Sequence, residues 1–333
     1  QDPSTAYVSS QNGNILRTRN LNQQFFNVVG IKNDLDANSD GEIDEGAWFI
    51  NPIEINPFNG NEIYFPTKRK LWRSFDGGDN WEPVTNNIGS AVSTREPFCV
   101  SVTNEFSPCA YVGGSNGLLV YIDDVNGQSP GSEKNLRTRL PSVLFSSFIN
   151  HIKIHPEKRS TIFVSFTNYS TTTRLWMANN ANTDTPQWLE IGKNLPRNLP
   201  VNWMDLDPEN PDSIWFAGTD FGLYYTTNAG ETWLKETRIP NTVISTLEFR
   251  ESDRKLFVFT HGRGIYSIKI NSISSTPQNI STNGVKTKDL LVYPNPSKNY
   301  FYLDLPLIQS KPESFALKIY SAEGKEQKAL VEF

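Results

Sequence analysis

An acidic segment at 33–48, NDLDANSDGEIDEGAW, carries the residue types that bind a hard cation. Oxygen-bearing side chains recur at alternate positions, Gly41 permits a sharp turn, and Ile43 would anchor the segment on an apolar core. The predicted calcium ligands are Asp34, Asp36, Asn38, Asp40, Glu42 and Asp44. Ala47 lies where a bidentate glutamate usually completes such a loop. A merely solvated acidic loop is the alternative, and a bound ion would stiffen the segment rather than do chemistry.

Carboxylates and histidines are the other residues that could do chemistry. Glycoside hydrolysis needs two carboxyl groups, and Asp205, Asp207 and Asp220 are candidates by residue type. They fit an ordinary strand and turn equally well, so no catalytic residue is assigned. His151 and His155 are four residues apart, which on a strand separates them by roughly 13 Å, too far for one metal ion. Both histidines are expected to be exposed.

Two cysteines lie in the segment FCVSVTNEFSPCAYV, which reads as two short strands around Asn104. A hairpin centred there would place Cys99 opposite Cys109, at a separation compatible with a disulfide. A pair of free, half-buried thiols is the alternative.

Composition limits the class of protein. The chain has 333 residues, with 31 Lys+Arg against 36 Asp+Glu and a net charge of −5, which argues against a nucleic-acid binder. No apolar run approaches the roughly 20 residues that span a bilayer, so no transmembrane segment is predicted. Aromatic residues make up 12% of the chain and only 2 residues are Met, which favours strands and turns over packed helices.

Short apolar runs bounded by Asn, Gly, Pro or Asp group into repeated units of four strands, and in three of the units the last strand is led by a Trp. Units of roughly 40–50 residues are typical of propeller blades. The four full units lie at 49–86, 96–140, 148–192 and 201–238. Segments 5–30 and 242–270 supply three strands each. The sequence thus predicts an all-β chain, with a β-propeller of four-stranded antiparallel blades at 1–270 that is incomplete and begins within a longer protein.

The repeated units contain a recurring turn. SFDGGDNW at 74–81 fits the pattern S/T-x-D-x-G-x-x-W, TTNAGETW at 226–233 fits it with Asn228 in place of the Asp, and TRNLNQQF at 18–25 is a degenerate third copy. The acidic or amide side chain can accept turn amides, the glycine permits positive φ, and the tryptophan anchors the next strand. The predicted structural residues are Ser74, Asp76, Gly78, Trp81, Thr226, Asn228, Gly230 and Trp233.

These turns resemble the Asp-box (BNR-repeat) β-propellers, which include sialidases, xyloglucanase-type hydrolases and sortilin-like receptors. The resemblance implies that the box is a fold element on the outer rim. THGRGIYSI at 260–268 is similar to the closing strand of these propellers, and His261 and Arg263 could contact a ligand there. A turn in which Arg263 pairs with a rim carboxylate is the alternative.

The function predicted from this resemblance is a binding module for a glycan or protein partner, because the sialidase arginine triad and nucleophile pair are not found. A glycoside hydrolase with catalytic carboxylates partly outside this chain is the alternative. Tryptophans could stack on sugars if they are exposed, but packing in the blade core is their expected role. The candidates are Trp48, Trp72, Trp203 and Trp215.

The sequence of the C-terminal part predicts that the protein is exported from the cell. After a Ser/Thr/Asn-rich linker at 271–289, segment 290–333 contains VYPNPSKNYFYLDL and FALKIYSAEGKEQ. It resembles the start of the β-sandwich-like sorting domain of the Bacteroidota type IX secretion system. The resemblance implies the type IX machinery as a partner and an extracellular or outer-membrane-associated location. Ser213, in Asp-Ser-Ile, also matches the O-glycosylation pattern of that phylum, and a turn that opens a strand is the alternative.

Overall fold

A computed structural model describes residues 4–23, 28–31, 33–36, 43–44, 46–49, 51–85, 88, 95–127, 133–167 and 174–270, together with the backbone of four short strands beyond them. The chain divides into two compact units, Gln1–Gln278 and Asn279–Phe333. The predicted linker at 271–289 lies outside the described residues.

The first unit is all-β and consists of six antiparallel sheets, which are the blades of a β-propeller. Blade 1 contains β1 (Ala6–Ser10), β2 (Asn14–Thr18) and β3 (Val29–Gly30), and blade 2 contains β4 (Glu54–Ile55), β5 (Ile63–Pro66), β6 (Leu71–Ser74) and β7 (Glu82–Pro83). Blade 3 contains β8 (Pro97–Val102), β9 (Ala110–Gly114), β10 (Leu119–Ile122) and β11 (Glu133–Asn135), and blade 4 contains β12 (Ile149–His155), β13 (Lys158–Phe166), β14 (Leu175–Asn179) and β15 (Gln187–Glu190). Blade 5 contains β16 (Val201–Leu206), β17 (Trp215–Thr219), β18 (Gly222–Thr226) and β19 (Leu234–Lys235), and blade 6 contains β20 (Ile244–Arg250), β21 (Lys255–Thr260) and β22 (Ile265–Lys269).

Short 3₁₀ turns are the helical elements within the described residues. They are Gln11–Gly13, Asn33–Leu35, Ser115–Gly117, Arg137–Arg139, Ser142–Leu144 and Glu251–Asp253. None of the helices in this part of the chain is long or apolar enough to cross a membrane.

The second unit shows two antiparallel strand pairs. They are β23 (Leu291–Tyr293) with β24 (Tyr302–Asp304), and β25 (Ile319–Tyr320) with β26 (Glu326–Gln327). The rest of the predicted sorting domain lies outside the described residues.

The core lies between neighbouring blades. One apolar cluster joins blades 1 and 2, another joins blades 2 and 3, a third joins blades 3 and 4, and a fourth joins blades 5 and 6. Across the interface of blades 4 and 5, the rings of Phe163 and Trp215 meet edge to face at 4.9 Å. Strands therefore carry apolar residues on both faces, as expected for sheets that are covered on both sides.

Glycines in the second strand of a blade admit the inner strand of the next. A Cβ on Gly113 would lie 2.5 Å from Ile149 Cγ2, and a Cβ on Gly218 would lie 2.6 Å from Ile244 Cγ2. Both isoleucines are fully buried at the start of the following blade. The absence of a side chain at these glycines thus sets how closely successive blades approach.

We expect Gly218→Ala to destabilise the protein by about 1–3 kcal/mol, because the new methyl group overpacks the contact with Ile244. Urea denaturation measures this change. Gly30→Ala is the matched control, since nothing lies within 4 Å of a Cβ at that strand position, and its effect should stay within about 0.5 kcal/mol. Equal effects at both positions would contradict the packing argument.

Candidate functional site

The inner strands of blades 2 to 6 surround a cavity of about 1080 Å³. Strands β4, β8, β12, β16 and β20 each contribute lining residues, so the cavity is the central channel of the propeller. Ligand sites of this size usually combine apolar walls with a few polar groups. The channel is therefore the candidate binding site.

Four charged side chains from four blades line the channel. Lys153 Nζ lies 2.7 Å from Asp205 Oδ1, and Glu54 and Glu248 are close enough to interact electrostatically with Lys153. Asp205 also accepts the backbone N–H of Phe249 through Oδ2 at 3.1 Å. The Asp205 carboxylate thus ties together the inner strands of blades 4, 5 and 6.

Burial shifts the proton affinity of these groups. It raises the pKa of Glu54 to about 7, although the charge of Lys153 and the N–H of Val102, 3.4 Å away, act in the opposite direction. Burial and the Asp205 charge also raise the pKa of Glu248. Desolvation disfavours the ammonium form of Lys153, but Asp205, Glu248 and Glu54 together outweigh it and raise the pKa of Lys153. Lys153 is therefore a fixed cation, while Glu54 exchanges a proton near neutral pH.

The four inner strands that carry these charges share a sequence pattern. In each of them the charged residue lies between two apolar residues. The apolar neighbours pack against the preceding blade, as Ile53 and Ile55 do in the cluster of blades 1 and 2. Ile152 and Ile154 do the same in the cluster of blades 3 and 4. Because side chains alternate along a strand, the residue between them lies on the other face. Sequence analysis missed Glu54, Lys153 and Glu248, but this alternation at equivalent repeat positions was the available signal.

His151 contributes a neutral ring beside the charged cluster. Its ring stacks on Trp203 with centroids 3.7 Å apart, and its Nδ1 accepts the backbone N–H of Met204 at 3.3 Å. Burial, reinforced by the charge of Lys153, holds the pKa of His151 well below its usual value. The expectation that His151 is exposed is wrong, because blade 5 covers it.

His155 is also buried, against the expectation from sequence. Its Nδ1 accepts the N–H of Glu157 at 3.1 Å, so its Nε2 carries the proton and donates to Asp212 Oδ1 at 3.1 Å. Lys158 pairs with the same Asp212 carboxylate. His155 thus stabilises the turn between β12 and β13 against blade 5.

The three aspartates considered as catalytic candidates are engaged in hydrogen bonds. Asp205 holds Lys153, as described above. Both oxygens of Asp207 accept from Arg254 Nη2, at 3.2 and 2.9 Å. Asp220 Oδ1 accepts from Asn202 Nδ2 at 2.8 Å. The bonds of Asp205 and Asp207 join neighbouring blades, whereas the bond of Asp220 lies within blade 5.

The two predicted Asp-box turns have the same internal hydrogen bonds. Ser74 Oγ accepts the N–H of Gly78 at 2.7 Å, and Asp76 Oδ1 accepts the N–H of Asn80 at 2.9 Å. In the second turn the bonds from Gly230 to Thr226 Oγ1 and from Thr232 to Asn228 Oδ1 are 3.1 and 3.0 Å. In its described part, the degenerate copy keeps two further bonds that both turns share: Thr18 Oγ1 donates to Asn20 Oδ1 at 2.7 Å and accepts the Asn20 N–H at 3.3 Å, as Ser74 does with Asp76 and Thr226 with Asn228.

The turns that end in Trp81 and Trp233 each hold their blade against the preceding one. The indole N–H of Trp81 donates to the Ile31 carbonyl at 2.6 Å, and that of Trp233 donates to the Ile191 carbonyl at 2.7 Å. The positive φ of Gly78, +93°, and the 2.4 Å between its Cβ position and Ile31 Cδ1 explain why this position needs glycine.

Asp34 belongs to this clamp. Its Oδ2 accepts the backbone N–H of Trp81 at 2.6 Å, just as Asn194 Oδ1 accepts that of Trp233 at 2.7 Å. Asp34 lies three residues after Ile31, and Asn194 lies three residues after Ile191, the two isoleucines whose carbonyls accept the indole N–H groups. One carboxylate oxygen of the predicted calcium set therefore already has a structural partner.

The remaining predicted calcium ligands are only partly described. Asp36 is buried and Asp44 is exposed, with its N–H bonded to the Leu35 carbonyl at 3.0 Å. Ile43 is buried in the cluster of blades 1 and 2. The ligand positions outside the described residues are Asn38, Asp40 and Glu42. Among the described residues, no group of three or more His, Cys, Asp or Glu is arranged to hold a metal ion.

The strand register contradicts the predicted disulfide between Cys99 and Cys109. Cys99 pairs with Gly113 across the sheet, and the N–H of Thr103 bonds to the Cys109 carbonyl, so the connection is longer than a hairpin centred on Asn104 allows. Both thiols are free and buried. Burial raises the pKa of Cys99 to about 12, which leaves this thiol unreactive at neutral pH.

The other predicted contact residues lie on turns. His261 lines the channel and is exposed, whereas Arg263 is exposed but is not among the lining residues. Gly262 and Gly264 have φ of +82° and +79°, which the tight turn requires. Ser213 is half-buried, and its N–H bonds to the Asn210 carbonyl at 3.1 Å.

The tryptophans differ in exposure. Trp72 and Trp215 are buried, and Trp48 donates its indole N–H to the Pro97 carbonyl at 2.7 Å. Trp203 is half-buried and lines the channel, which leaves it as the tryptophan of this set that could contact a ligand there.

Comparison with known proteins supports the class of fold. No family model and no curated protein matches the chain. The GH74 xyloglucanase from Xanthomonas campestris superposes with a TM-score of 0.56 at 14% identity, covering 80% of this chain and 43% of that one. The extracellular domain of BT4673 from B. thetaiotaomicron gives 0.51 at 16%, covering 80% and 31%. YCF48 bound to D1 peptide gives 0.52 at 15%, covering 82% and 77%.

These similarities establish that the fold is a β-propeller. Sequence identities this low support a similarity of fold and do not extend to function. This chain spans less than half the length of the GH74 and BT4673 chains.

The raised pKa of Glu54 predicts a pH dependence of stability. The carboxyl group of Glu54 keeps its proton up to about pH 7 in the folded chain, whereas in the unfolded chain it loses the proton near its ordinary pKa of 4.5. The protein therefore loses stability as the pH rises between these two values. Glu54→Gln carries no such charge. From pH 4.5 to pH 8 the variant should therefore gain roughly 2–3 kcal/mol relative to wild type in urea denaturation.

Glu157→Gln is the control for this measurement, because Glu157 is an exposed glutamate on a neighbouring turn. Its stability relative to wild type should not change with pH in the same way. A constant difference between Glu54→Gln and wild type from pH 4.5 to pH 8 would refute the assignment.

The hydrogen bond between the Trp81 N–H and the Asp34 carboxylate predicts how the stability of Asp34 variants compares with wild type in the absence of calcium. In EDTA, Asp34→Ala should lose about 1 kcal/mol of stability, because the Trp81 N–H loses its acceptor. Asp34→Asn should stay within about 0.5 kcal/mol of the stability of wild type, since the amide oxygen of Asn194 accepts the backbone N–H of Trp233 in the equivalent contact. If the asparagine variant is as unstable as the alanine variant in thermal unfolding, the clamp is not the role of Asp34.

Proposed function

We propose that this propeller is a binding module that engages a glycan or a protein partner through its central channel. The observation that carries the proposal is the channel lining, in which five inner strands present charged, polar and aromatic groups around a cavity of about 1080 Å³. The aspartates in and beside it are committed to bonds between blades, as Asp205 and Asp207 illustrate. A rigid lining of this kind suits recognition.

Chemical features of the lining suit polar partners. Trp203 and His151 offer an aromatic surface beside Lys153, and Glu248 is accessible to water although protein surrounds it. Aromatic surfaces beside hydrogen-bonding groups suit sugars and peptide side chains alike. Similar propellers include YCF48 bound to D1 peptide and the nidogen/laminin complex, which were determined with protein partners. They offer precedents at the level of fold.

The finer predictions from sequence belong to the same proposal. The turns ending in Trp81 and Trp233 support membership of the Asp-box propellers through their shared hydrogen bonds. Segment 290–333 would direct the protein through the type IX secretion machinery to the surface of a Bacteroidota cell. There Ser213 would be O-glycosylated and the loop around Asp36 would bind calcium. Export to a calcium-containing environment is consistent with the second of these features.

A specific observation favours a glycoside hydrolase as the second candidate. Glu54, with a pKa of about 7, keeps its proton for a substantial fraction of the time at neutral pH, as a general acid must. Glu248 faces the same channel and would act as the second carboxylate. This candidate places the acid and the base on residues within the chain.

One experiment separates the two candidates. The whole chain is titrated calorimetrically with a panel of plant, algal and host polysaccharides, and reducing-sugar release is assayed on the same samples. Saturable binding without release supports the glycan-binding module. Glu248→Gln should then weaken binding severalfold, while the exposed control Glu157→Gln should not. Release that Glu54→Gln abolishes would establish the hydrolase instead.

A panel that neither binds nor reacts would remove the glycan from the proposal. The partner would then be a protein, and cross-linking on the cell surface with a photoreactive residue at position 203 would identify it. If cross-links formed equally well from the exposed position 231, in the turn that ends in Trp233, the channel would not be the binding surface.

A further inference from the structure

The lining of the channel carries more carboxyl groups than cations. Six acidic side chains line the cavity of about 1080 Å³ against two basic ones, which leaves an excess of four negative charges when all of them are ionised. A cleft lined by charge of one sign raises the local concentration of counter-ions, because its low-dielectric walls focus the field. The acidic residues are Glu54, Glu105, Asp205, Asp220, Glu248 and Glu251.

The two cations of the lining are already paired with carboxylates. Lys153 Nζ lies 2.7 Å from Asp205 Oδ1. Arg159 Nη1 lies 3.2 Å from Glu105 Oε2, and its Nη2 donates to Asp123 Oδ1 at 2.7 Å. Neither cation is therefore left to balance the rest of the acidic lining.

Glu54 and Glu248 are the carboxyl groups most in need of a further cation. Neither has an ion-pair partner in the part of the chain that the structure describes, although both interact electrostatically with Lys153. The charge of Glu248 also raises the pKa of Glu54, so the two groups lie close to each other. A cation between them would offset both their repulsion and the desolvation of Glu54.

His151 presents a donor to the same space. The residue is only 7% exposed and lines the channel, on the same side of β12 as Lys153 two residues further along. Because Nδ1 accepts the N–H of Met204, the neutral ring carries its proton on Nε2. This N–H has no acceptor among the described residues. Buried donors are almost always paired in folded proteins, so the ligand is expected to supply an oxygen atom here.

Two exposed phenylalanines lie beside the channel. Phe58 and Phe106 are 59% and 79% exposed, and their rings meet edge to face at 6.2 Å. They directly follow Pro57 and Glu105, which line the channel, in the loops after the inner strands of blades 2 and 3. Adjoining exposed apolar groups are typical of contact surfaces. The three features together suit a partner that offers cations, oxygen acceptors and apolar groups.

We propose that the channel binds a lysine-containing segment of a protein partner, with a lysine ammonium between Glu54 and Glu248. A compact ammonium can bridge two carboxylates, whereas a guanidinium fork matches the two oxygens of one. A main-chain carbonyl of the segment would accept the Nε2–H of His151, and an apolar side chain beside the lysine would contact Phe106. A polysaccharide can carry ammonium groups, but it has no apolar side chains. The inference rests on the proposed function, because it names the chemistry of the partner that the channel engages.

Calorimetric titration of the whole chain at pH 8 tests the proposal. At this pH most of Glu54 is ionised, since its pKa is about 7, and lysine side chains keep their charge. Hexalysine is the probe, with hexaglutamate and spermine as references at matched ionic strength. Hexalysine should bind saturably and hexaglutamate should not bind. Spermine should bind severalfold more weakly than hexalysine, because it has ammonium groups but no carbonyl for His151.

Variants show whether the channel is the site. Glu248→Gln should weaken hexalysine binding by roughly tenfold or more, because the ammonium loses one of its two carboxylates. Glu231→Gln removes the same charge from an exposed turn and should change the affinity less than about twofold. Glu54→Gln should weaken binding as Glu248→Gln does. This second variant should also fold, because it lacks the ionised carboxylate that costs stability above neutral pH.

Three results would overturn the inference: no binding of hexalysine, binding of spermine as tight as that of hexalysine, and equal effects of Glu248→Gln and Glu231→Gln. If a polysaccharide of the panel binds and hexalysine does not, the proposed function stands and this inference fails. If hexalysine binds but neither Glu54→Gln nor Glu248→Gln weakens it, the peptide binds outside the channel, and both the inference and the proposed role of the channel fail.

Discussion

The structure depends on the contact that joins each blade to the one before it. At two of these interfaces a tryptophan indole donates to an isoleucine carbonyl of the preceding blade, and an Asp or Asn side chain accepts the tryptophan N–H. At two others, Gly113 and Gly218 admit an isoleucine of the next inner strand. Because buried polar groups must be paired and interiors are close-packed, these contacts fix the spacing of the blades. The channel takes its dimensions from that spacing.

Blade spacing also explains how charges reach the channel. An inner strand packs one face on the preceding blade, and its alternate residues lie on the other face, close to the propeller axis. Lys153 reaches Asp205 across this gap, and the carboxylate of Asp205 then bonds to the backbone at Phe249. A polar lining thus forms without interrupting the apolar core. The same geometry keeps Glu54 out of bulk water, which is why its pKa is high.

Local sequence patterns predicted the fold well, because each blade is made mainly of contacts within one repeat. The four-strand units and the turns ending in Trp81 and Trp233 could be read directly. The wrong expectations depended on register or on other blades. Cys99 pairs with Gly113 because the connection after β8 is longer than a tight turn, and Trp203 from blade 5 covers His151. The channel charges come from four distant strands, so no single motif contains them.

Glu54 is the carboxyl group of the channel whose charge is costly to the fold. Burial raises its pKa to about 7, so ionised Glu54 costs stability above neutral pH. Lys153 and Asp205 show the contrasting case of a pair that offsets its own desolvation. A structural role suffices for the paired groups. For Glu54, the Lys153 charge and the Val102 N–H act against burial without overcoming it, so its carboxyl group keeps a proton near neutral pH.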